Sequence, residues 1–285
     1  MSKKKKQEPV VFEPLRTPLI DSHCHVVPRT YGEELPHIIQ RMFEGGALER
    51  AVNIGAGYGL EGNEQALEVF QAEPRLHPTI GIHPHDARLF TEDPQLADKL
   101  LRMAARPEVV AYGEVGLDYY YEHSDRQVQQ EALRTQVEIA RQVGKPLIVH
   151  DRDSHEDMLS ILDECRAWEL GVVIHCFSGD WTLAQACLAR GAYLSIPGIV
   201  TYKTAEMLQE VAMRMPLERM FIETDSPYLA PVPYRGKRNE PAYVHAVARE
   251  LARLRGEDVE HLIFVTAENA RRFFGLPAGS DVLTA

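Results

Sequence analysis

At 285 residues the chain has room for one large barrel domain or two ordinary ones, and 45% hydrophobic with 26% charged residues is the balance of a globular protein. No apolar run approaches the roughly 20 residues that cross a bilayer, and the start lacks the apolar core of a signal peptide, so a cytoplasmic protein with no membrane partner is expected. The net charge of −11 is uneven, because Lys3 to Lys6 hold four of the 31 basic groups and leave 27 basic against 42 acidic groups elsewhere. That excludes a broad basic face for nucleic acid, so any polyanion must be held locally, by metal ions and a few placed basic residues.

In chain order, residues 1–12 read as a flexible lysine-rich tail ahead of one domain over 13–285. Short β-branched runs then alternate with longer helical patterns. The expected strands are Pro18–His25, Arg50–Gly55, His77–Ile82, Val109–Gly113, Pro146–His150, Val172–His175, Ala192–Ile196 and Met220–Thr224. Between the fourth and fifth, Ser124 and Asp125 offer an N-cap, while Val128, Leu133, Val137 and Ala140 make an apolar stripe. Gly144 stops that helix and Pro146 bars its continuation. Ser154 and Gly179 are placed to start the helices after the fifth and sixth strands, and Glu257–Phe274 reads as an extra helix closing the chain. Eight βα units imply a single TIM-type (β/α)8 barrel; an open doubly wound sheet competes, but no GxGxxG turn follows the first strand. Four widely spaced cysteines without a CxxC pattern (Cys24, Cys165, Cys176, Cys187) read as buried, inert thiols.

A barrel carries its chemistry where the strands end at their carboxyl side. The first expected strand ends in Asp21-Ser22-His23-Cys24-His25, where residues two apart share a face, so His23 and His25 point together and Cys24 points away. Glu114 ends the fourth, His150 the fifth and His175 the sixth, and Asp225 follows the eighth. Each alone is a weak signal, but five strands presenting a ligand type at one rim point to divalent metal. Six donors exceed what one tetrahedral zinc uses, so two ions are expected, with Glu114 as the shared carboxylate and Asp225 as ligand and proton acceptor. No Lys ends a strand, which leaves a carbamylated lysine bridge without a candidate. Zn²⁺, Mg²⁺ and Mn²⁺ all remain open.

At these residues the chain resembles the TatD-type metal-dependent deoxyribonucleases of the amidohydrolase superfamily. The matching segments include Asp21–His25, Gly81-Ile82-His83-Pro84-His85, Gly113–Tyr119, His150–Asp153, His175–Gly179, Glu223–Leu229 and Arg235–Pro241, spread from about residue 18 to 275. The resemblance implies a barrel, a divalent-metal requirement and phosphodiester hydrolysis on DNA. It places one ion on His23, His25, Glu114 and Asp225 and a second on Glu114, His150 and His175.

The substrate is less defined. Arg152, Arg235, Lys237 and Arg238 are candidate phosphate contacts, with a solvated basic loop as the plain alternative. His83 and His85 either line the site or are structural, and Tyr119, Tyr120 and Tyr121 either stack on a base or pack over the barrel mouth. The leading expectation is a nuclease acting on DNA single strands or ends. The alternative is a metal-dependent amidase, esterase, lactonase or aminoacyl-tRNA deacylase on the same site.

Overall fold

A computed structural model describes residues 15–44 and 48–277; the lysine-rich start lies outside the described residues. Eight strands pair in parallel in strict chain order: β1 Leu19–Cys24, β2 Leu48–Ile54, β3 Leu76–Ile80, β4 Ala111–Asp118, β5 Leu147–Arg152, β6 Val172–Ile174, β7 Tyr193–Ile196 and β8 Met220–Ile222. The sheet closes just past β8, where the backbone N–H of His25 donates to the Ser226 carbonyl at 2.8 Å and that of Asp225 to the His23 carbonyl at 3.0 Å. The result is the expected (β/α)8 barrel. Labelling helices of nine residues or more, α1 Leu35–Phe43, α2 Gly59–Ala72, α3 Leu96–Ala104, α4 Arg126–Val143, α5 His155–Glu164, α6 Trp181–Ala189, α7 Glu206–Arg214 and α8 Val244–Arg255 alternate with the strands, and α9 Val259–Phe274 is the extra helix.

Strand side chains alternate between two apolar layers, as burial on both faces of a parallel sheet requires. Leu19, Leu76, Tyr112, Leu147, Val172, Leu194 and Met220 face the helices. Ile20, Val52, Ala111, Ile148, Val173, Tyr193 and Phe221 face inward near the strand starts, where Ala267, Ala270 and Phe274 of α9 pack with them. That end of the barrel is an apolar floor, with the Tyr193 and Phe221 rings stacked 4.7 Å apart.

Two β-bulges then turn the strands' polar ends into the barrel. In β1 one extra residue enters between Asp21 and Cys24, and in β4 another enters between Gly113 and Val115. A bulge shifts the alternation by one. Inward positions thus pass from Ile20 to His23 and His25, and from Ala111 to Glu114, while Cys24 packs outward as expected.

The expected end of β4 at Gly113 is corrected: the strand runs on to Asp118 because β5 also continues, pairing Gly116 with His150 and Asp118 with Arg152. Gly116 allows this approach, since a Cβ there would lie 1.9 Å from the His150 carbonyl oxygen. Helix ends differ in detail. Gly144 closes α4 in the left-handed conformation, as expected. Ser124, by contrast, leaves α4 uncapped and bridges loops, donating to the His85 carbonyl and accepting from Arg88 N–H. Asp180, rather than Gly179, caps α6 by accepting the Leu183 N–H at 2.9 Å, because the cap requires a side-chain oxygen.

Candidate metal centre

The inward ends of β1, β4 and β5 and the residues just after β6 and β8 meet around one carboxylate. Glu114 is 3% exposed, and its two oxygens face different groups. Oε2 lies 3.4 Å from His23 Nε2 and 4.0 Å from His25 Nε2, with Asp225 Oδ1 a further 3.8 Å and 3.5 Å from those two nitrogens. Oε1 lies 2.8 Å from His150 Nδ1, 2.8 Å from His175 Nε2 and 3.4 Å from His83 Nε2. Donor atoms gather within 4.8 Å of one another in three overlapping sets: His23, His25 and Glu114; His23, His175 and Asp225; His83, Glu114 and His150. The six sequence-derived ligands are therefore brought together, and His83 joins them. His175 also reaches across, its ring stacked on His23 at 3.7 Å.

The surroundings fit a divalent cation. Both ring nitrogens of His23 are buried without a hydrogen-bond partner. An unpaired buried polar group costs about 1–3 kcal/mol, and a cation shared with the facing carboxylates satisfies Nε2. Burial, then the neighbouring His175, pushes His23 down to about 3, so it stays neutral and ligand-competent. Burial would raise Glu114, but His175 and His83 outweigh it and hold the carboxyl well below its usual range. Imidazole nitrogens with carboxylate oxygens suit a borderline metal such as zinc, which would displace the protons now shared with Glu114.

Behind these groups stands a shell that sequence reasoning did not assign. Asp118 is 1% exposed; its Oδ2 lies 2.7 Å from His85 Nε2 and 3.2 Å from His150 Nε2, and its Oδ1 accepts the Tyr120 and Tyr121 N–H groups. Glu223 accepts the Cys176 N–H at 2.7 Å and lies 3.3 Å from His175 Nδ1. Asp21, beneath the site, accepts from the Thr224 hydroxyl and N–H, yet burial raises its pKa to about 8. The signal for Glu223 is its place two residues before Asp225; Asp118 lies within the Gly113–Tyr119 segment, beyond the expected strand end at Gly113.

The cluster opens into a cavity of about 500 Å³ lined also by Tyr58, Tyr121, Arg152, Ser178 and Tyr228. Arg152 sits at its edge, 4.9 Å over the Tyr120 ring. Tyr121 lies edge-on to His85, whereas Tyr119 turns away, its hydroxyl donating to Asp157 at 2.7 Å. Arg235, Lys237 and Arg238 are exposed and are not among the cavity-lining residues. Arg238 pairs with Glu34 and covers Tyr31, and Arg235 lies 4.3 Å over Tyr202. Cys24 and Cys187 are buried as expected; Cys165 is half-buried, and Cys176 lines the cavity, which corrects the reading of four core thiols. No helix among the described residues is long and apolar enough to cross a membrane.

Fold and site together define a barrel hydrolase of the metal-dependent kind. Residues 20–275 match the TatD related DNase family, to which this chain belongs. YcfH of Escherichia coli K12, named a metal-dependent hydrolase, is 39% identical over 260 residues, covering 91% of this chain and 97% of its own. A relative from Salmonella typhimurium named 3'-5' ssDNA/RNA exonuclease TatD is 34% identical, covering 90% and 98%. The crystal structure of YJJV, a TatD homolog from Escherichia coli K12, matches with a TM-score of 0.82 at 25% identity, covering 91% of this chain and 98% of that one. The protein is thus a metal-dependent hydrolase of the TatD family.

Proposed function

We propose that the protein is a two-metal phosphodiesterase that shortens DNA from single strands or frayed ends. The observation that carries this reading is the division of the Glu114 carboxylate, one oxygen facing His23 and His25 and the other facing His150 and His175. One ion would rest on His23, His25, Glu114 and Asp225, the other on Glu114, His150 and His175. Such a pair, when bound, supplies Lewis acidity to activate a water and to neutralise charge on the attacked phosphorus. Asp225, whose side chain is 13% exposed against 3% for Glu114, is assigned as acceptor of the water's proton. Arg152 is assigned to a phosphate oxygen and Tyr121 to a base face at the mouth. Arg235 and Lys237 would meet only a longer strand, beyond the cavity. The acidic surface favours local capture of a strand end over a clamp on duplex DNA, and the name of the Salmonella relative supports a single-stranded substrate.

The test is turnover on a panel of labelled single-stranded DNA, duplex DNA, RNA and simple esters with Mg²⁺, Mn²⁺ or Zn²⁺. Single-stranded DNA is expected to be shortened. The variants His150→Ala and Asp225→Ala are expected to lose that activity with unchanged circular dichroism. Undiminished cutting by both variants, or turnover confined to the esters, would overturn the reading.

A further inference from the structure

Three imidazoles face the same oxygen of Glu114, but they do not present the same chemistry to it. In a neutral imidazole one nitrogen carries the proton and the other the lone pair, and the partner of the far nitrogen decides which is which. For His150 the far nitrogen, Nε2, lies 3.2 Å from the Asp118 carboxylate and the near one, Nδ1, 2.8 Å from Glu114, so each faces an acceptor, and a cation at Nδ1 would leave the proton on Nε2. For His175 the far nitrogen, Nδ1, lies 3.3 Å from the Glu223 carboxylate and Nε2 2.8 Å from Glu114, so a cation at Nε2 would likewise leave the proton on Nδ1. Both are ligand-competent.

His83 is wired the opposite way. Its far nitrogen, Nδ1, accepts the backbone N–H of His85 at 3.1 Å. A backbone N–H cannot accept, so the Nδ1 lone pair is committed and the proton must sit on Nε2, the atom that looks into the site. The lock is written into the local sequence. His83 caps the short turn Pro84–Asp86, Pro84 has no N–H, and the N–H of His85 is therefore the first available to the cap. Asp86 holds the turn from both sides, donating its N–H to the His83 carbonyl at 2.8 Å and accepting the Gly59 N–H at 3.2 Å. Packing against the His85 and His150 rings, with centroids 4.2 and 4.7 Å away, fixes the orientation. At 3.4 Å its Nε2 is too far from Glu114 Oε1 for a good hydrogen bond, and the ring lines the cavity, so the N–H is free for an incoming oxygen.

We infer that His83, though it stands among the ligands, is not one: it is a catalytic residue that donates its Nε2–H to an unesterified oxygen of the attacked phosphodiester. It keeps its proton throughout and stabilises the charge that builds on that oxygen. A fixed donor aimed at developing charge is worth about 10²–10³ in turnover. The inference rests on the phosphodiesterase reading for its substrate, but the donor wiring stands independently of it.

The experiment compares metal-loaded wild type, His83→Phe and His83→Gln. Elemental analysis of the dialysed proteins is expected to give the same metal content for all three. His83→Phe is expected to lower kcat on single-stranded DNA about 10²-fold with a smaller change in KM. His83→Gln, whose amide N–H can stand near the Nε2 position, is expected to recover part of that loss. Long-range ¹H–¹⁵N correlations in histidine-labelled wild type are expected to show His83 as the Nε2–H tautomer. Loss of metal from folded His83→Gln, an Nδ1–H tautomer, or unchanged kcat in His83→Phe would each overturn the inference. If wild type cuts no oligonucleotide, the phosphodiesterase reading falls by itself, while the tautomer and metal content still decide donor against ligand.

Discussion

The two ends of the barrel are built from the same strands and obey opposite rules. At the floor, Ile20, Ile148 and Phe221 meet Ala270 and Phe274 of α9, with no charge among them. A few residues along, the same strands deliver His23, His150 and Asp225 to a rim crowded with titratable groups, some of them without hydrogen-bond partners. The floor is where apolar burial stabilises the fold. The rim keeps polar groups buried and incompletely paired, a cost that persists only because the surrounding barrel holds them in place. Stability and chemistry should therefore separate under mutation.

A crossed pair of substitutions gives the largest expected effect. Glu114→Gln removes the carboxylate proposed to be shared by two ions, and losing several kcal/mol of charge stabilisation should lower turnover about 10³-fold or more. Its metal-free melting temperature should stay level or rise, since an amide is cheaper to bury than a carboxylate. Phe274→Ala empties part of the floor and should cost about 3–5 kcal/mol of unfolding free energy. Its metal content and kcat, assayed well below its melting point, should match wild type. Calorimetry and activity on both proteins check the separation; a Phe274→Ala protein that loses metal would show the two ends to be coupled.

A smaller effect appears with acid. His77, 6% exposed at the start of β3, has its pKa pushed down to about 4 by burial first and then by the Arg50 guanidinium, whose Nη1 lies 3.2 Å from its Nε2. The unfolded chain takes up this proton near pH 6.5 and the folded one only near 4, so between those values the unfolded state binds more protons and stability falls as pH falls. The contribution is present in full above about pH 6.5 and is lost as pH drops through 4, about 3 kcal/mol in all. Urea midpoints at pH 7 and pH 4.5 should show wild type losing more than His77→Gln. Equal losses would mean the neutral imidazole is not what the acid attacks.

How much of this was legible beforehand depends on whether the deciding interaction was local. The eight strands follow from runs of apolar residues, and the candidate metal ligands follow from His23-x-His25 and from polar residues placed after such runs. The bulges were not legible: they exchange inward for outward positions in mid-strand, and Gly116 lets β4 and β5 run on side by side. Charge in the sequence does not show a distant partner. Arg235, Lys237 and Arg238 form a dense basic run, yet Arg238 is engaged by Glu34, 204 positions away in sequence. The His83 wiring lies between these cases, since His83-Pro84-His85 contains the whole lock but shows it only once the turn is known.

The finest test of the comparison lies behind the rim, at Glu223. This carboxylate is fully buried, is not among the cavity-lining residues, accepts the Cys176 N–H and lies 3.3 Å from His175 Nδ1. If it were part of the structural frame, Glu223→Gln would act like a floor mutation and lower the melting temperature. Orientation of the imidazole predicts otherwise: an amide oxygen can still take a proton from Nδ1, but without the charge that raises ligand basicity. Metal affinity should then fall about 10–100-fold while the fold is kept. Titrating chelator against both proteins reads this directly, and excess metal should restore turnover. A variant that binds metal as wild type does but melts earlier would move Glu223 from the chemistry of the rim to the architecture beneath it.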